Sequence, residues 1–212
     1  MRRKPQVFVT LALLCVAAAS ASWAADPEKG KTLFTPCTAC HGPNAEGNPI
    51  LNAPKLAGQE GWFLKRQLEN FQKGLRGTHE KDIFGMQMKP MAATLDAAGV
   101  EDVAAYLSSL QWAKSAATVE GDPTKGQPLF AVCVACHGDK GQGNVTLNAP
   151  RIAGQEDWYL VRQLRNFATD VRGSDPRDIY GMQMKPMALT VVPNPADDSG
   201  ARNLASYVHS LE

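Results

Sequence analysis

The sequence predicts an all-α protein made of two tandem copies of one small helical domain. Three observations carry the prediction. Laying residues 37–91 over 133–187, a shift of 96, needs no gap and matches 33 of 55 positions. Within each copy apolar residues recur every three or four positions, the period of a helix face, and nowhere do apolar and polar residues alternate as in a half-buried strand. The balance of 22 basic and 21 acidic residues, with 44% hydrophobic and 20% charged, is that of a folded globular chain and excludes a disordered or collagen-like one. A formal charge of +1 offers no basic footprint for nucleic acid.

The first element is read as an export signal. Arg2, Arg3 and Lys4 precede an apolar stretch from Val7 to Ala19, and small residues follow as far as Ala21-Ser22-Trp23-Ala24-Ala25. This three-part layout predicts a signal peptide over 1–24, cleaved after Ala24, and hence a periplasmic protein. An uncleaved anchor is the alternative, but the apolar core is shorter than the ~20 residues a spanning helix needs. Cleavage removes three positive charges and no acids, taking the net charge from +1 to −2.

The first domain is expected over 25–112. Asp26-Pro27 reads as a helix start, a capping acid followed by proline in the first turn, and that helix runs into Cys37. A long amphipathic helix follows: Trp62, Leu64, Leu68 and Phe71 recur at helical spacing with Lys65, Arg66, Glu69 and Lys73 between them, and Gly77 stands at its end. GMQMKPM at 85–91 is read as a loop, before a last helix from about Val100 to Leu110. The small, polar stretch 113–121 lies outside the repeat and is expected to be a linker. The second domain, 122–212, repeats the plan, with Asp122-Pro123, Gly173, a second GMQMKPM at 181–187 and a last helix from about Ala201 to Leu211. Domains this small bury only a modest core.

Five cysteines include Cys15, inside the apolar stretch of the signal, and leave Cys37-Thr-Ala-Cys40-His41 and Cys133-Val-Ala-Cys136-His137. Exported proteins commonly oxidise such thiols to disulfides, and paired CxxC motifs also hold zinc. Neither reading accounts for a histidine directly after each pair. C-x-x-C-H is the attachment signature of c-type haem. Thiols one helical turn apart add to the two vinyl groups of one haem, and the adjacent imidazole then lies beneath the iron. Two covalently bound haem c groups are therefore expected, one per copy, each adding apolar mass to its small core. The glycines after His137 form a turn rather than a nucleotide fingerprint.

The sixth iron ligand separates a carrier from an enzyme, because iron held by histidine alone leaves a site open to small molecules. His79 aligns with Asp175 and His209 stands opposite Ser108, so both break the repeat and are read as surface residues. Methionines obey it: Met86, Met88 and Met91 recur as Met182, Met184 and Met187. Some of these fill gaps in the core, yet every methionine beyond the signal falls in the two GMQMKPM segments. One per segment is expected on iron, and methionine raises the reduction potential.

Paired CxxCH motifs, each followed by an N-x-P-x-L-A-G-Q-like segment (NAPKLAGQE at 52–60 and NAPRIAGQE at 148–156), a Q-L helix and a methionine-rich loop, resemble the dihaem cytochrome c4 family. The resemblance covers essentially the whole chain after the signal. It implies two class I cytochrome c folds joined by a linker, with their haems close together, and a periplasmic electron carrier often feeding a terminal oxidase. It implies His41 and His137 as proximal ligands, with the carbonyls of Pro54 and Pro150 orienting them. In that family the ligating methionine precedes an aromatic of the last helix by a fixed stretch; counting back 18 from Tyr106 reaches Met88, whose repeat partner is Met184. The second copy departs from the pattern, since Met184 and Tyr207 are 23 residues apart and Val191–Pro195 has no counterpart.

The function expected is outer-sphere electron transfer in a respiratory chain, with no catalytic residue and no small-molecule substrate. Upstream, a cytochrome, a quinol-oxidising complex or a dehydrogenase is expected; downstream, a terminal oxidase, with peripheral membrane association left open. Two alternatives stand beside it: the electron-transfer subunit of a dehydrogenase or flavocytochrome, and a dihaem peroxidase with one open iron. The identical GMQMKPM segments argue against the peroxidase. Lys65, Lys73 and Lys89 have counterparts Val161, Thr169 and Lys185, so the two copies differ in surface charge. Arg66 and Arg162 are shared and are read as solvated, with haem propionates as their other candidate partner.

Overall fold

The computed structural model describes residues 24–211, so all of the signal reading but its last residue lies outside the described residues. Helix α1 spans Pro27–Phe34, capped by the Asp26 carboxylate, which accepts from the N–H groups of Glu28 and Lys29 at 3.0 and 3.2 Å. A 3-10 turn over Thr35–Cys37 leads into the short α2, Thr38–His41. Next come α3 (Gly61–Gln72), α4 (Ile83–Ala92) and α5 (Ala97–Ser109). The second half has α6 (Pro123–His137), α7 (Asp157–Ala168), α8 (Ile179–Val191) and α9 (Ser199–Ser210). Pro36, which has no N–H to donate, stands where the first half breaks its opening helix; its counterpart Val132 lies in the unbroken α6. Among the described residues β pairing is limited to the isolated bridges Asn48–Ala53 and Asn144–Ala149. No helix among them is long and apolar enough to cross a membrane.

In each half the first helix crosses the last. A Cβ on Gly30 would lie 2.0 Å from the Asp102 carbonyl oxygen, and one on Gly126 would lie 2.0 Å from that of Asn203. Only glycine permits so close an approach. One turn further on, Phe34 meets Tyr106 and Phe130 meets Tyr207, with ring centroids 5.8 and 5.4 Å apart. The cores behind these crossings hold Phe34, Leu64, Val103 and Leu107 in the first half and Phe130, Val161, Leu204 and Val208 in the second.

Several details differ from the sequence reading. The GMQMKPM segments are helical rather than loops, started by Asp82 and Asp178, whose carboxylates accept from the N–H of Gly85 and Gly181. The long helices stop at Gln72 and Ala168, short of Gly77 and Gly173. Those glycines instead admit the backbone of the next helix: a Cβ on Gly77 would meet the Gly85 carbonyl oxygen at 2.2 Å. The inserted residues lengthen α8 and bury Val191 and Val192 in the second core. The linker is docked, because Asp157 accepts from the N–H of Thr118 and Val119 and from the Thr118 hydroxyl at 2.6–2.8 Å. His209 is buried rather than exposed, its Nε2 donating to the Ser115 carbonyl of the linker at 2.8 Å.

Candidate haem centres

The two CxxCH motifs end α2 and α6, and each histidine side chain turns into the fold. His41 and His137 are 4% and 6% exposed. Each holds one carbonyl: His41 Nδ1 lies 2.7 Å from Pro54 O, and His137 Nδ1 lies 2.7 Å from Pro150 O. A carbonyl oxygen only accepts, so Nδ1 carries the proton and the Nε2 lone pair is left for a metal. Burial lowers the pKa of both rings, against the opposing pull of the proline carbonyls, and keeps them neutral. None of the four cysteines described is paired in a disulfide. Burial pushes the Cys37 thiol up and that of Cys133 up to about 11. Cys40 and Cys136 are exposed. No three His, Cys, Asp or Glu side chains gather as a metal cluster among the described residues, so the CxxC pairs do not converge as a zinc site.

In the second half a cleft of about 1340 Å³, open mouth included, is lined by Cys133, Cys136, His137, Met184 and Met187. Its walls are mainly apolar, with Leu160, Leu164 and Phe167 from α7 and Leu204 and Val208 from α9. The first half closes it with Gln59, Phe63, Arg66 and Gln67. Within each methionine trio the middle residue is the least exposed: Met88 and Met184 are half-buried, whereas Met86 and Met91 are 48% and 36% exposed and Met182 and Met187 are 44% and 38%.

The halves meet through reciprocal polar contacts: where residue i meets j plus 96, i plus 96 meets j, an isologous pattern within one chain. Arg66 donates to Asn148 Oδ1 and O at 3.2 and 3.0 Å, and Arg162 to Asn52 Oδ1 and O at 3.1 and 3.0 Å. Asn52 and Asn148 take positive φ, 56° and 55°, at matching turns. Arg66 also lies 4.5 Å from the Tyr180 ring, as Arg162 lies 4.6 Å from Phe84. Deeper in the interface, Arg76 donates to Gln67 and Tyr159 at 3.0 Å, while Arg172 donates to Gln163 and Gln67 at 2.7 Å. Burial, and next the Arg76 cation, bring the Arg172 pKa down to about 9. Burial alone would raise the Tyr159 pKa, but the neighbouring arginines outweigh it and hold the phenol below its ordinary value.

Two buried donors, Arg76 Nε and Arg172 Nε, have no hydrogen-bond partner among the described residues. Arg172 lines the second-half cleft. Buried cations with unused donors are stabilised by an anion. Haem supplies one at its carboxylate end, so thiols, imidazole, apolar wall and arginines fit that group.

The cytochrome c family model matches residues 27–111 and 123–212. Cytochrome c4 of Stutzerimonas stutzeri is 32% identical over 186 residues, covering 80% of this chain and 85% of that one. The chain belongs to the dihaem cytochrome c4 family. The thiosulfate dehydrogenase electron acceptor of Thiomonas intermedia is 35% identical over 173 residues, 75% of this chain and 73% of that one. Reduced recombinant cytochrome c4 from Pseudomonas stutzeri superposes with a TM-score of 0.69 at 27% identity, covering 89% of this chain and all of that one. The protein is thus an all-α, dihaem electron-transfer cytochrome of the cytochrome c4 type with two covalently bound haem c groups, and it is not an enzyme.

For this cytochrome c4 relative the solvated reading of Arg66 and Arg162 is corrected: both are half-buried across the interface. Burial lowers the pKa of each. The sequence reading also passed over Gln59, Glu60, Arg76 and their partners Gln155, Glu156, Arg172. The signal was present, since these polar residues are identical in both copies although no haem motif or helix cap requires them.

Proposed function

We propose that the protein is a periplasmic electron carrier whose irons are held by His41 and Met88 in the first domain, 25–112, and by His137 and Met184 in the second, 122–212. Cys37, Cys40, Cys133 and Cys136 tether the haems. The observation that carries this reading is the second-half cleft, where both thiols, a neutral imidazole and Met184 face one apolar space. Haem held this way supplies a one-electron couple at an iron with no open position. The chain's part is to keep water out, hold Nδ1 of each histidine on a proline carbonyl, and keep the ligand set unchanged between oxidation states. Export rests on the Arg2-Arg3-Lys4 and Val7–Ala19 pattern.

Visible spectra of the oxidised and reduced protein, followed by carbon monoxide addition to the reduced form, test this. A far-red methionine–iron band and no carbon monoxide binding are expected. Binding at either haem of undamaged protein would instead favour the peroxidase reading. For the redox partners, the relative named as an acceptor for thiosulfate dehydrogenase favours a dehydrogenase upstream. Stoichiometric reduction of both haems by such an enzyme with thiosulfate is expected; no reduction would leave the quinol-oxidising complex as the donor.

A further inference from the structure

We propose that Glu156 and Glu60 each set the reduction potential of the haem in the opposite half, acting through the peptide group that holds that half's proximal histidine. The inference rests on His41 and His137 ligating iron. The peptide between Pro54 and Lys55 is bonded at both ends. Its carbonyl accepts from His41 Nδ1 at 2.7 Å, and its N–H donates to Glu156 Oε2, from the other half, at 2.7 Å. The peptide between Pro150 and Arg151 is held the same way. His137 Nδ1 lies 2.7 Å from its carbonyl, and its N–H donates to Glu60 Oε1 and Oε2 at 3.0 and 3.1 Å.

The clamp is built rather than incidental. Gln155 Nε2 donates to the Lys55 carbonyl at 3.3 Å and Gln59 Nε2 to the Arg151 carbonyl at 3.2 Å, so each Gln-Glu pair takes both backbone groups of one residue. Each carboxylate sits over a glycine. A Cβ on Gly47 would lie 2.3 Å from Glu156 Oε1, and one on Gly143 would lie 2.7 Å from Glu60 Oε1. Those glycines donate their own N–H to the His41 and His137 carbonyls at 2.8 Å. Both glutamates belong to the AGQE segment common to the two copies.

The direction follows from peptide polarisation. A carboxylate accepting from the N–H draws electron density towards the carbonyl oxygen at the other end of the conjugated group. That oxygen becomes a stronger acceptor for Nδ1–H, and the imidazole a stronger donor at Nε2. A more basic ligand favours ferric iron and lowers the potential. Glu156 is 4% exposed and makes the shorter bond, whereas Glu60 is half-buried with its bond divided between two oxygens, so Glu156 has the larger effect.

The test uses the full dihaem protein and Glu156→Gln and Glu60→Gln, which keep an acceptor oxygen and remove the charge. Potentials are read at pH 9, where both carboxyls are ionised although burial raises the Glu156 pKa to about 7, by spectroelectrochemical titration, and are assigned to each haem by paramagnetic proton NMR. Glu156→Gln is expected to raise the first-half potential by about tenfold in the reduction equilibrium, or about 59 mV, leaving the second-half haem in place. Glu60→Gln moves the second-half haem less, in the same direction. Equal shifts at both haems, a shift confined to the mutated half, or none would overturn the relay. In the unmodified reduced protein the Lys55 and Arg151 amide protons should resonate downfield and resist exchange, and ordinary behaviour of both would also overturn it without any variant. Hyperfine-shifted ring protons of His41 and His137 report separately on ligation, so their absence would sink the ligand reading rather than the relay.

Discussion

Replacing Arg66 or Arg162 by alanine separates an interface built on these side chains from a solvated surface. Arg66 loses two hydrogen bonds, to Asn148 Oδ1 and O, and its place 4.5 Å from the Tyr180 ring. Hydrogen bonds to charged groups contribute about 1.5–3 kcal/mol each and a cation–π contact about 0.5–2 kcal/mol. The guanidinium is only half-buried and water can refill part of the gap, so the expected cost is about 2–3 kcal/mol for each variant. A solvated arginine would cost less than about 0.5 kcal/mol. The Asn148→Ala partner removes only the bond to Oδ1, since the backbone carbonyl remains. A double-mutant cycle with Arg66→Ala should therefore return about 1 kcal/mol of coupling, well below the cost of the single change. Reciprocity demands the same coupling for Arg162→Ala with Asn52→Ala. Equilibrium denaturation of the oxidised holoprotein, followed by haem absorbance and tryptophan fluorescence, supplies all the values. Single variants within about 0.5 kcal/mol of the parent would refute the interface reading.

Met88→Ala and Met184→Ala should each open one iron to carbon monoxide and remove part of the far-red band, while Met86→Ala and Met187→Ala leave both irons closed; carbon monoxide titration of the reduced protein distinguishes them. Burial raises the Glu156 pKa from 4.5 to about 7, so the folded state binds its proton more tightly than the unfolded state does. That contribution is fully present below pH 4.5 and is lost as pH rises towards 7, costing about 2 kcal/mol after allowance for residual solvation. Glu156→Gln should flatten this window, and unfolding free energies of both proteins at pH 5 and pH 8 check it. Gly30→Ala would drive a Cβ to within 2.0 Å of the Asp102 carbonyl oxygen and should cost about 3 kcal/mol; an unchanged thermal midpoint would mean that α1 and α5 do not cross there.

What the sequence made legible tracks how local the physics is. Asp26-Pro27 and Asp122-Pro123 declare their helices because a cap acts within one turn. The spacing of Trp62, Leu64, Leu68 and Phe71 likewise marks α3. CxxCH was readable because attachment chemistry fixes the spacing of thiols and imidazole along the chain. The methionine segments read as loops, yet Asp82 and Asp178 start helices that continue through Pro90 and Pro186. His209 was unreadable for a different reason: its acceptor, the Ser115 carbonyl, is 94 residues away. The arginines gave the same difficulty at larger scale. A cationic side chain on an amphipathic helix looks solvated until the partner surface is known, and here the partner is the second copy of the same sequence.

That origin shows in the polar identities of the repeat. Asn52, Gln59, Glu60, Arg66 and Gln67 match their counterparts, and each makes across the interface the contact that its counterpart also makes. At other positions the copies diverge. Tyr159 offers Arg76 a hydroxyl at 3.0 Å, whereas its counterpart Phe63 offers Arg172 none, although each arginine also reaches the glutamine of the opposite half, Arg76 to Gln163 at 3.3 Å and Arg172 to Gln67 at 2.7 Å. Lys55 donates from Nζ to the Gly154 and Ala113 carbonyls, whereas its counterpart Arg151 turns its Nε to Ala153 at 3.2 Å. Identical ligand segments thus sit in unequal fields, and the inequality arises outside the haem motifs. Because each half's histidine-bearing loop is gripped by the other half's glutamate and glutamine, the two potentials belong to the docked pair. The linker held by Asp157 and the arginine contacts are then as much part of the redox centre as the ligands, and loosening them should bring the two potentials together before either haem is lost.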